Sequence, residues 1–376
     1  MIDHAMREVE PGTPGQPLAR SPVVSRRSFI AAFSVALVSA RHALVAADAK
    51  PAGTIGICTF SCHRAWQALR DRSAPVPFAD APGFYDYARG LGADGVQTSM
   101  ATLPDAAAAT RLREHVQQTG GYYEGDVRLP KDAGDLDAFE REVKLTRAAG
   151  ADVARTFLSG SRRYETWRTL AEFKAFRDGA HKRLALVEPI VKKHRLRLAV
   201  ENHKDLTSDE LVALMRRIDS EWIGVNVDTG NNIALLEDPY DAVGALAPFA
   251  RSVHLKDMAV QPHESGFLLS EVVCGEGFLD LARIVAVLRK ANPQLRLNLE
   301  MATRDPLLVP CLTEGYFATF PERKATHLDA AMRLVSQNPP RRPPPSLTGK
   351  SMPRQLADEE TNNRESLRWM HRHLAE

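Results

Sequence analysis

Four residues at the ends of apolar runs have side chains that could bind a divalent cation together. Glu201 ends RLRLAVE, Asp228 ends IGVNVD, His254 lies in RSVHLK, and Glu300 ends LRLNLE. If these runs are neighbouring parallel strands, the side chains meet at one edge, where three carboxylates repel each other unless a cation neutralises them. Three oxygen donors and one nitrogen donor suit Mn²⁺ best, with Mg²⁺, Co²⁺ and Zn²⁺ as alternatives.

Two further polar residues share a face with these strand ends. Residues i and i+2 of a strand point the same way, so His203 accompanies Glu201, and Lys256 accompanies His254. The unperturbed pKa of histidine, about 6.5, suits a group that moves protons near neutral pH. We therefore predict that His203, Glu201 and Glu300 are catalytic and that Lys256 contacts the substrate. The alternative for His203 is that it only orients a neighbouring carboxylate.

Three residues after earlier runs could also contact a substrate. Arg155 lies in DVARTFL, and His63 and Trp66 follow TIGICTF. The alternative for Arg155 is an ion pair with a nearby carboxylate, and the alternative for His63 and Trp66 is ordinary loop packing. We predict substrate contacts for all three.

Short apolar runs alternate with longer helical patterns between residues 53 and 337. The predicted strands cover residues 54–60, 94–99, 121–127, 152–158, 195–201, 223–228, 251–256 and 295–300. This alternation predicts a (β/α)₈ barrel, in which active-site residues come from the C-terminal ends of the strands. A doubly wound sheet is the alternative, but it requires a glycine-rich turn after the first strand, and TFSCHRAW is not one.

The first 49 residues have the pattern of an export signal. Arg26 and Arg27 precede an apolar run that ends at Ala40, and Ala47-Asp48-Ala49 resembles a cleavage site. The run is shorter than the ~20 apolar residues that a membrane span needs. This pattern predicts a twin-arginine signal, the twin-arginine (Tat) export machinery as a transport partner, and a periplasmic or otherwise exported protein.

Other segments complete the predicted domain organisation. A barrel domain over 50–337 is followed by a proline-rich linker over 338–355 and a C-terminal helix over 356–376. The formal net charge of +2 gives no electrostatic case for nucleic acid as a partner. The four cysteines lack the spacing of a zinc ribbon. Both a monomer and a homo-oligomer are compatible with the sequence.

Several short motifs resemble one enzyme family when taken in order. VENH, NVDTGNN, VHLKD, GEGFLD and NLE are similar to the sugar phosphate isomerase/epimerase family, which includes ketose 3-epimerases and inosose dehydratases. The resemblance covers roughly residues 53–335. It implies a xylose isomerase-like TIM barrel, here with a C-terminal extension helix, and a divalent metal bound by Glu201, Asp228, His254 and Glu300. It also implies a sugar, keto-sugar or cyclitol substrate and proton transfer by the two glutamates through an enediolate.

Two positions depart from the ketose 3-epimerases. A sugar-binding His of that group corresponds to Asn231, which we predict to contact the substrate, and a sugar-binding Arg corresponds to Val260. Isomerisation, epimerisation and elimination therefore all remain open. Two other functions are a phosphodiesterase of the endonuclease IV type, which needs histidines missing from GVQTSM and GYYEGDV, and a non-catalytic periplasmic sugar-binding barrel.

Overall fold

Eight parallel strands close into a barrel, which confirms the predicted fold class. The computed structural model describes residues 54–375, so the predicted signal segment lies outside the described residues. Around the barrel, each strand pairs with its neighbours in the order β1-β10-β7-β6-β5-β4-β3-β2. The barrel strands are β1 (Ile55–Cys58), β2 (Gly95–Ser99), β3 (Tyr122–Asp126), β4 (Val153–Thr156), β5 (Arg197–Glu201), β6 (Ile223–Asp228), β7 (Ala250–Leu255) and β10 (Leu297–Leu299).

Helices cover the outside of the barrel and bury its apolar strands. They are α1 (His63–Asp71), α2 (Ala81–Leu91), α3 (Ala106–Thr119), α4 (Leu136–Ala148), α5 (Arg163–Thr166), α6 (Leu170–Lys193), α7 (Ser208–Ile218), α8 (Pro239–Leu246), α9 (Leu281–Ala291), α10 (Glu322–Gln337) and α11 (Met352–Leu374). The helical segment between β4 and β5 is divided into two helices, α5 and α6. Thr169 and Glu172 make a reciprocal capping box, which starts α6 as a new helix.

A small antiparallel sheet, with two strands between β7 and β10 in the chain and one after β10, was not predicted. It consists of β8 (Asp257–His263), β9 (Gly266–Val272) and β11 (Leu307–Val309), in the order β11-β9-β8. At its base, Asp257 accepts hydrogen bonds from the backbone of Gly275 and Gly277, both 2.9 Å long. A Cβ on Gly277 would lie 2.0 Å from the Asp257 carboxylate. The Gly-Glu-Gly segment is therefore a tight structural loop, as its sequence context suggested.

The C-terminal helix packs against α1, α2 and the barrel strands β1 and β10. Helix α11 begins at Met352, four residues before the predicted start. Pro353 lies in its first turn, where a missing backbone N–H costs no helical hydrogen bond. Among residues 54–375, no helix has the length and apolar character needed to cross a membrane.

Candidate metal centre

The four predicted metal ligands lie together at the C-terminal end of the barrel. Glu201 and Asp228 end β5 and β6, His254 is the last residue but one of β7, and Glu300 directly follows β10. One potential donor atom from each residue lies within 4.8 Å of the others, and all four residues are buried. The barrel thus brings together the residues that the sequence singled out.

Side-chain hydrogen bonds hold the neighbouring strand ends in register. The Asn202 side chain donates to the Asp228 carbonyl and accepts from the Asp228 backbone N–H, which joins β5 to β6. Thr229 Oγ1 accepts from the Lys256 backbone N–H and donates to its carbonyl, which joins β6 to β7. These bonds fix the positions from which the candidate ligands project.

Three of the four residues present a buried donor atom with no hydrogen-bond partner among the described residues. These atoms are Asp228 Oδ2, His254 Nδ1 and Glu300 Oε2. The last two are 2.5 Å apart, but they are not aligned for a hydrogen bond. Buried polar atoms normally have well-aligned hydrogen bonds, so three atoms that make only ion-pair contacts at one point favour a cation as an additional partner. Carboxylate oxygens and an imidazole nitrogen fit a divalent cation.

The second oxygen of Asp228 is occupied by its own loop. Asp228 Oδ1 accepts from the backbone of Gly230 at 2.9 Å and of Asn231 at 2.8 Å. Oδ2 lies 2.7 Å from Lys256 Nζ, close enough for a strong charge interaction although the hydrogen-bond angles are poor. The loop thereby directs a single carboxylate oxygen into the cluster.

Gln97, in the middle of β2, determines which nitrogen of His254 faces the cluster. Its Nε2 donates to Glu124 at 3.0 Å, so its Oε1 faces His254 Nε2 at 2.6 Å. His254 therefore donates from Nε2, which leaves Nδ1 as the nitrogen that faces the cluster. A hydrogen bond of this kind is the usual way in which a metal-binding histidine is oriented.

The side chains of Arg155 and Lys256 already neutralise part of the carboxylate charge. This finding corrects the sequence argument, in which a bound metal ion supplied the neutralising charge. Arg155 Nε donates to Glu201 at 2.6 Å, and Lys256 Nζ lies 3.4 Å from Glu300 Oε1. Burial raises the pKa of Glu201, but Arg155 outweighs it and holds that pKa below its usual range. Burial likewise opposes ionisation of Glu300, yet Lys256 and His254 keep its pKa well below the ordinary value. The case for a metal therefore depends on the orphaned donor atoms.

A cavity of about 440 Å³ opens beside the cluster. Six of the predicted substrate-binding or catalytic residues line it: His63, Trp66, Arg155, Glu201, His203 and Glu300. Arg155 also bonds Asp126, at 2.8 Å, so both of its predicted roles are compatible with its position. Apolar surface comes from aromatic side chains that include Phe60, Phe157 and Trp66.

Two of the histidines that line the cavity, His203 and His63, come from different elements of the fold. His203 follows β5, and its Nδ1 lies 3.4 Å from the Ser161 carbonyl, which leaves Nε2 without an assigned bond. His63, on α1, stacks on Phe60. Burial lowers the pKa of His203 to about 3 and that of His63 to about 4. Both imidazoles are therefore neutral at neutral pH and able to accept a hydrogen bond or a proton.

Lys256 and Asn231, which we predicted to contact substrate, lie behind the cluster instead of on the cavity wall that the structure describes. Lys256 contacts Asp228 and Glu300, and its Nζ is 3.8 Å from Glu271 of the small sheet. Asn231 donates to Glu201 Oε1 at 2.9 Å. In this structure both residues hold the candidate ligands.

Sequence reasoning missed several residues of the site. Asp126 ends β3, so the signal used for the later strands would have found it, whereas Gln97 lies within β2 and gives no such signal. Glu271 and Arg304 form a bidentate ion pair next to Lys256. Glu271 lies in β9 of the unpredicted sheet, and Arg304 lies in the loop before β11. No short sequence pattern links those two residues.

The C-terminal helix supports one wall of the cavity. Glu359 Oε2 accepts from the Arg64 backbone at 2.7 Å, and Oε1 accepts from Ala65 at 3.0 Å. These are first-turn N–H groups of α1, and the residue before that helix, Cys62, provides no side-chain cap. A carboxylate at a helix N-terminus is also favoured by the helix dipole. Helix α11 therefore stabilises the helix that carries the cavity-lining residues His63 and Trp66.

The chain belongs to the xylose isomerase-like TIM barrel family, whose model matches residues 85–327. A structure of a xylose isomerase-like TIM barrel protein from Mycobacterium smegmatis in complex with magnesium is 18% identical, with a TM-score of 0.50, and covers 74% of this chain and 98% of its own. D-psicose 3-epimerase in the presence of D-fructose is 14% identical, with a TM-score of 0.54, and covers 86% of this chain and 100% of its own. Identities this low show the shared fold alone.

A similarity in sequence points to another member with a named activity. The 3-oxo-isoapionate decarboxylase of Pectobacterium atrosepticum is 27% identical over 146 residues, which cover 38% of this chain. The matched region spans about half the length of that relative, 50% of it.

Proposed function

We propose that the protein is a divalent-metal-dependent enzyme that removes a proton next to a carbonyl group of a sugar, keto-sugar or cyclitol. The observation that carries this proposal is the position of three unpartnered donor atoms beside a cavity of about 440 Å³. Sites for small molecules typically have volumes of ~300–1,000 Å³. The named epimerase and decarboxylase of the same fold support a substrate of this class.

Glu201, Asp228, His254 and Glu300 would hold the ion in this proposal. We favour Mn²⁺ because carboxylates supply most of the donors and an imidazole supplies the remaining one, with Mg²⁺, Co²⁺ and Zn²⁺ as alternatives. When bound, the ion would act as a Lewis acid that makes the proton between the carbonyl and hydroxyl groups of the substrate more acidic.

The residues of the cavity would carry out the proton transfer. His203 accepts the proton from the substrate carbon, and the electron pair of the broken C–H bond moves to the carbonyl oxygen. Burial lowers the pKa of His203, which keeps its imidazole neutral before the reaction but makes it a weaker base than a solvent-exposed histidine. Return of the proton to the neighbouring carbon gives isomerisation, and return to the opposite face gives epimerisation. Glu201 and Glu300 are the other candidates for the second transfer.

Arg155 would stabilise the negative charge that develops on the substrate oxygen. Its guanidinium lines the cavity and is held by Glu201 and Asp126, so its charge is in place before the reaction. Fixed charges of this kind contribute most when they need no rearrangement during the reaction. Lys256 and Asn231 act in this scheme by holding the carboxylates, without touching the substrate.

Decarboxylation or elimination is the second candidate, favoured by the similarity to 3-oxo-isoapionate decarboxylase. In a 3-oxo acid, the electron pair of the broken C–C bond moves to the carbonyl oxygen, carbon dioxide leaves, and a proton then adds to the carbon. In elimination, the electron pair of the enediolate expels a β-hydroxyl group. Both reactions pass through the same type of anion, so the same residues would serve.

Solvent-proton exchange tests the proposed function directly. We expect purified protein with Mn²⁺ to incorporate deuterium from D₂O next to the carbonyl of at least one ketose, 3-keto-sugar or keto-cyclitol, as measured by NMR. Chelation of the metal should stop the exchange, and added Mn²⁺ should restore it. Release of carbon dioxide from a 3-oxo sugar acid would identify the second candidate. Tight sugar binding without exchange or product would contradict both and would support the non-catalytic sugar-binding alternative.

We also propose that residues 1–49 direct export through the twin-arginine pathway, an inference that rests on Arg26 and Arg27 ahead of a short apolar run. Changing both arginines to lysine should leave precursor in the cytoplasm, as measured by fractionation and immunoblotting. Arg20→Lys, which lies outside the pair, is the matched control and should be exported normally. Unchanged periplasmic yield from the double variant would contradict the assignment.

A further inference from the structure

A second group of potential metal ligands shares two residues with the first. Cys58 Sγ, His254 and Glu300 present donor atoms that lie within 4.8 Å of one another. Cys58 is the last residue of β1, is buried, and lines the cavity. Ile57 pairs with Leu299 across β1 and β10, which places Cys58 and Glu300 at the same level of the barrel. The group therefore lies on the β1 side of the candidate metal centre.

The two shared residues point orphaned donors at this second position as well. His254 Nδ1 and Glu300 Oε2 are buried and have no hydrogen-bond partner among the described residues. Because two donor atoms without a hydrogen-bond partner lie next to the thiol, Cys58 is part of a potential ligand group and is not an isolated cysteine. Thiolate, imidazole and carboxylate together form a softer donor set than three carboxylates and an imidazole.

We propose that Cys58, His254 and Glu300 form a second position for a thiophilic divalent ion such as Zn²⁺, Cd²⁺ or Co²⁺. The ion would displace the proton of the thiol, which passes to solvent, because thiolate is the ligand form of cysteine. Occupation of this position excludes an ion held by Glu201, Asp228, His254 and Glu300. The reason is that Gln97 occupies His254 Nε2, so only the single Nδ1 lone pair remains, and it serves one ion at a time.

This inference extends the metal centre of the proposed function, and it predicts a selectivity that the centre would otherwise lack. Hard ions such as Mg²⁺ and Mn²⁺ have little affinity for thiolate and should use the carboxylate-rich set. A thiophilic ion should move toward β1, away from Glu201 and Asp228. We therefore expect Cd²⁺ to inhibit any Mn²⁺-dependent activity by displacing Mn²⁺, without adding a second ion.

Absorption spectroscopy on the metal-free protein tests the proposal without measuring turnover. Titration with Cd²⁺ should produce an ultraviolet thiolate-to-metal charge-transfer band that saturates at one ion per chain. Cys58→Ser should abolish the band and weaken Cd²⁺ binding at least about 10-fold, since even the loss of an outer-shell partner costs ~10–100-fold. Cys274→Ala is the matched control, because Cys274 is buried and belongs to neither group. It should keep the band.

A second measurement needs only the wild-type protein and so does not depend on the variants folding. Bound Mn²⁺, followed by its paramagnetic resonance signal, should be released in proportion to added Cd²⁺. Absence of the band in wild type, its persistence in Cys58→Ser, or simultaneous binding of Mn²⁺ and Cd²⁺ would each overturn the proposal. If the thiolate band is absent but Mn²⁺-dependent exchange is intact, the second metal position is wrong and the proposed function is unaffected. A clear band without exchange on any substrate would support the second metal position and contradict the proposed function.

Discussion

Asp228→Asn is expected to abolish tight binding of a divalent ion and to lower turnover by about 10³-fold, which corresponds to about 4 kcal/mol of lost transition-state stabilisation. Asp228 Oδ2 is the orphaned atom that would bind the ion, and the amide group of asparagine is a poor substitute for it. The variant should still fold, since the amide oxygen can accept the backbone bonds from Gly230 and Asn231.

Metal content after dialysis and calorimetric titration with Mn²⁺ measure the expected loss. Asp126→Asn is the matched control: Asp126 is another carboxylate at a strand end, but it contacts Arg155 and lies outside the four-residue cluster. Its variant should bind Mn²⁺ with nearly unchanged affinity. A full complement of metal in Asp228→Asn would show that the ion is bound elsewhere.

Lys256→Met separates the two ways of neutralising the cluster. If Lys256 only assists a metal centre, its removal raises the negative charge next to Asp228 and Glu300 and should tighten Mn²⁺ binding. The metal-free variant should also lose stability, because a buried carboxylate without its partner is costly. Its melting temperature should therefore rise more on Mn²⁺ addition than that of wild type. A melting temperature that responds to Mn²⁺ in the variant but not in wild type would indicate that Lys256 itself takes the place of the ion.

The strand ends were predictable because parallel strands in a closed barrel carry their C-terminal residues to one face. Apolar runs that end in Glu201, Asp228 and Glu300 could be recognised one at a time, and the topology then brought them together. The charge balance was not predictable in the same way. Arg155 and Lys256 also lie at strand ends, but their pairing with particular carboxylates depends on side-chain direction within the barrel.

Long-range contacts explain the rest of what sequence reasoning missed. The small sheet begins directly after β7, so its first residues continue an apolar run and give no separate strand signal. Glu359 looks like any charged residue of an amphipathic helix. It caps α1 only because α11 docks against that helix, which lies nearly 300 residues earlier in the chain. Tertiary packing of this kind leaves no local periodicity to read.

His203→Gln is expected to lower the rate of solvent-deuterium exchange by roughly 10²-fold or more, the usual contribution of a positioned proton acceptor. Glutamine keeps approximate size and can donate or accept a hydrogen bond, but it does not accept a proton at neutral pH. Metal content should stay unchanged, because His203 lies outside the four-residue cluster. Substrate affinity should also change little, so the loss should be in kcat.

His63→Gln is the matched control for this prediction. Both histidines are neutral and line the same cavity, but His63 lies on α1, bonds the Phe60 carbonyl at 3.2 Å and has no contact with the metal cluster. Its replacement should affect KM more than kcat and should leave exchange within about 10-fold of wild type. If both variants lose kcat equally, the effect comes from the shape of the cavity. If His203→Gln exchanges at the wild-type rate, Glu201 and Glu300 must carry the proton transfer. Arg155 holds Glu201 ionised, so it would then be the residue that sets the basicity of that carboxylate.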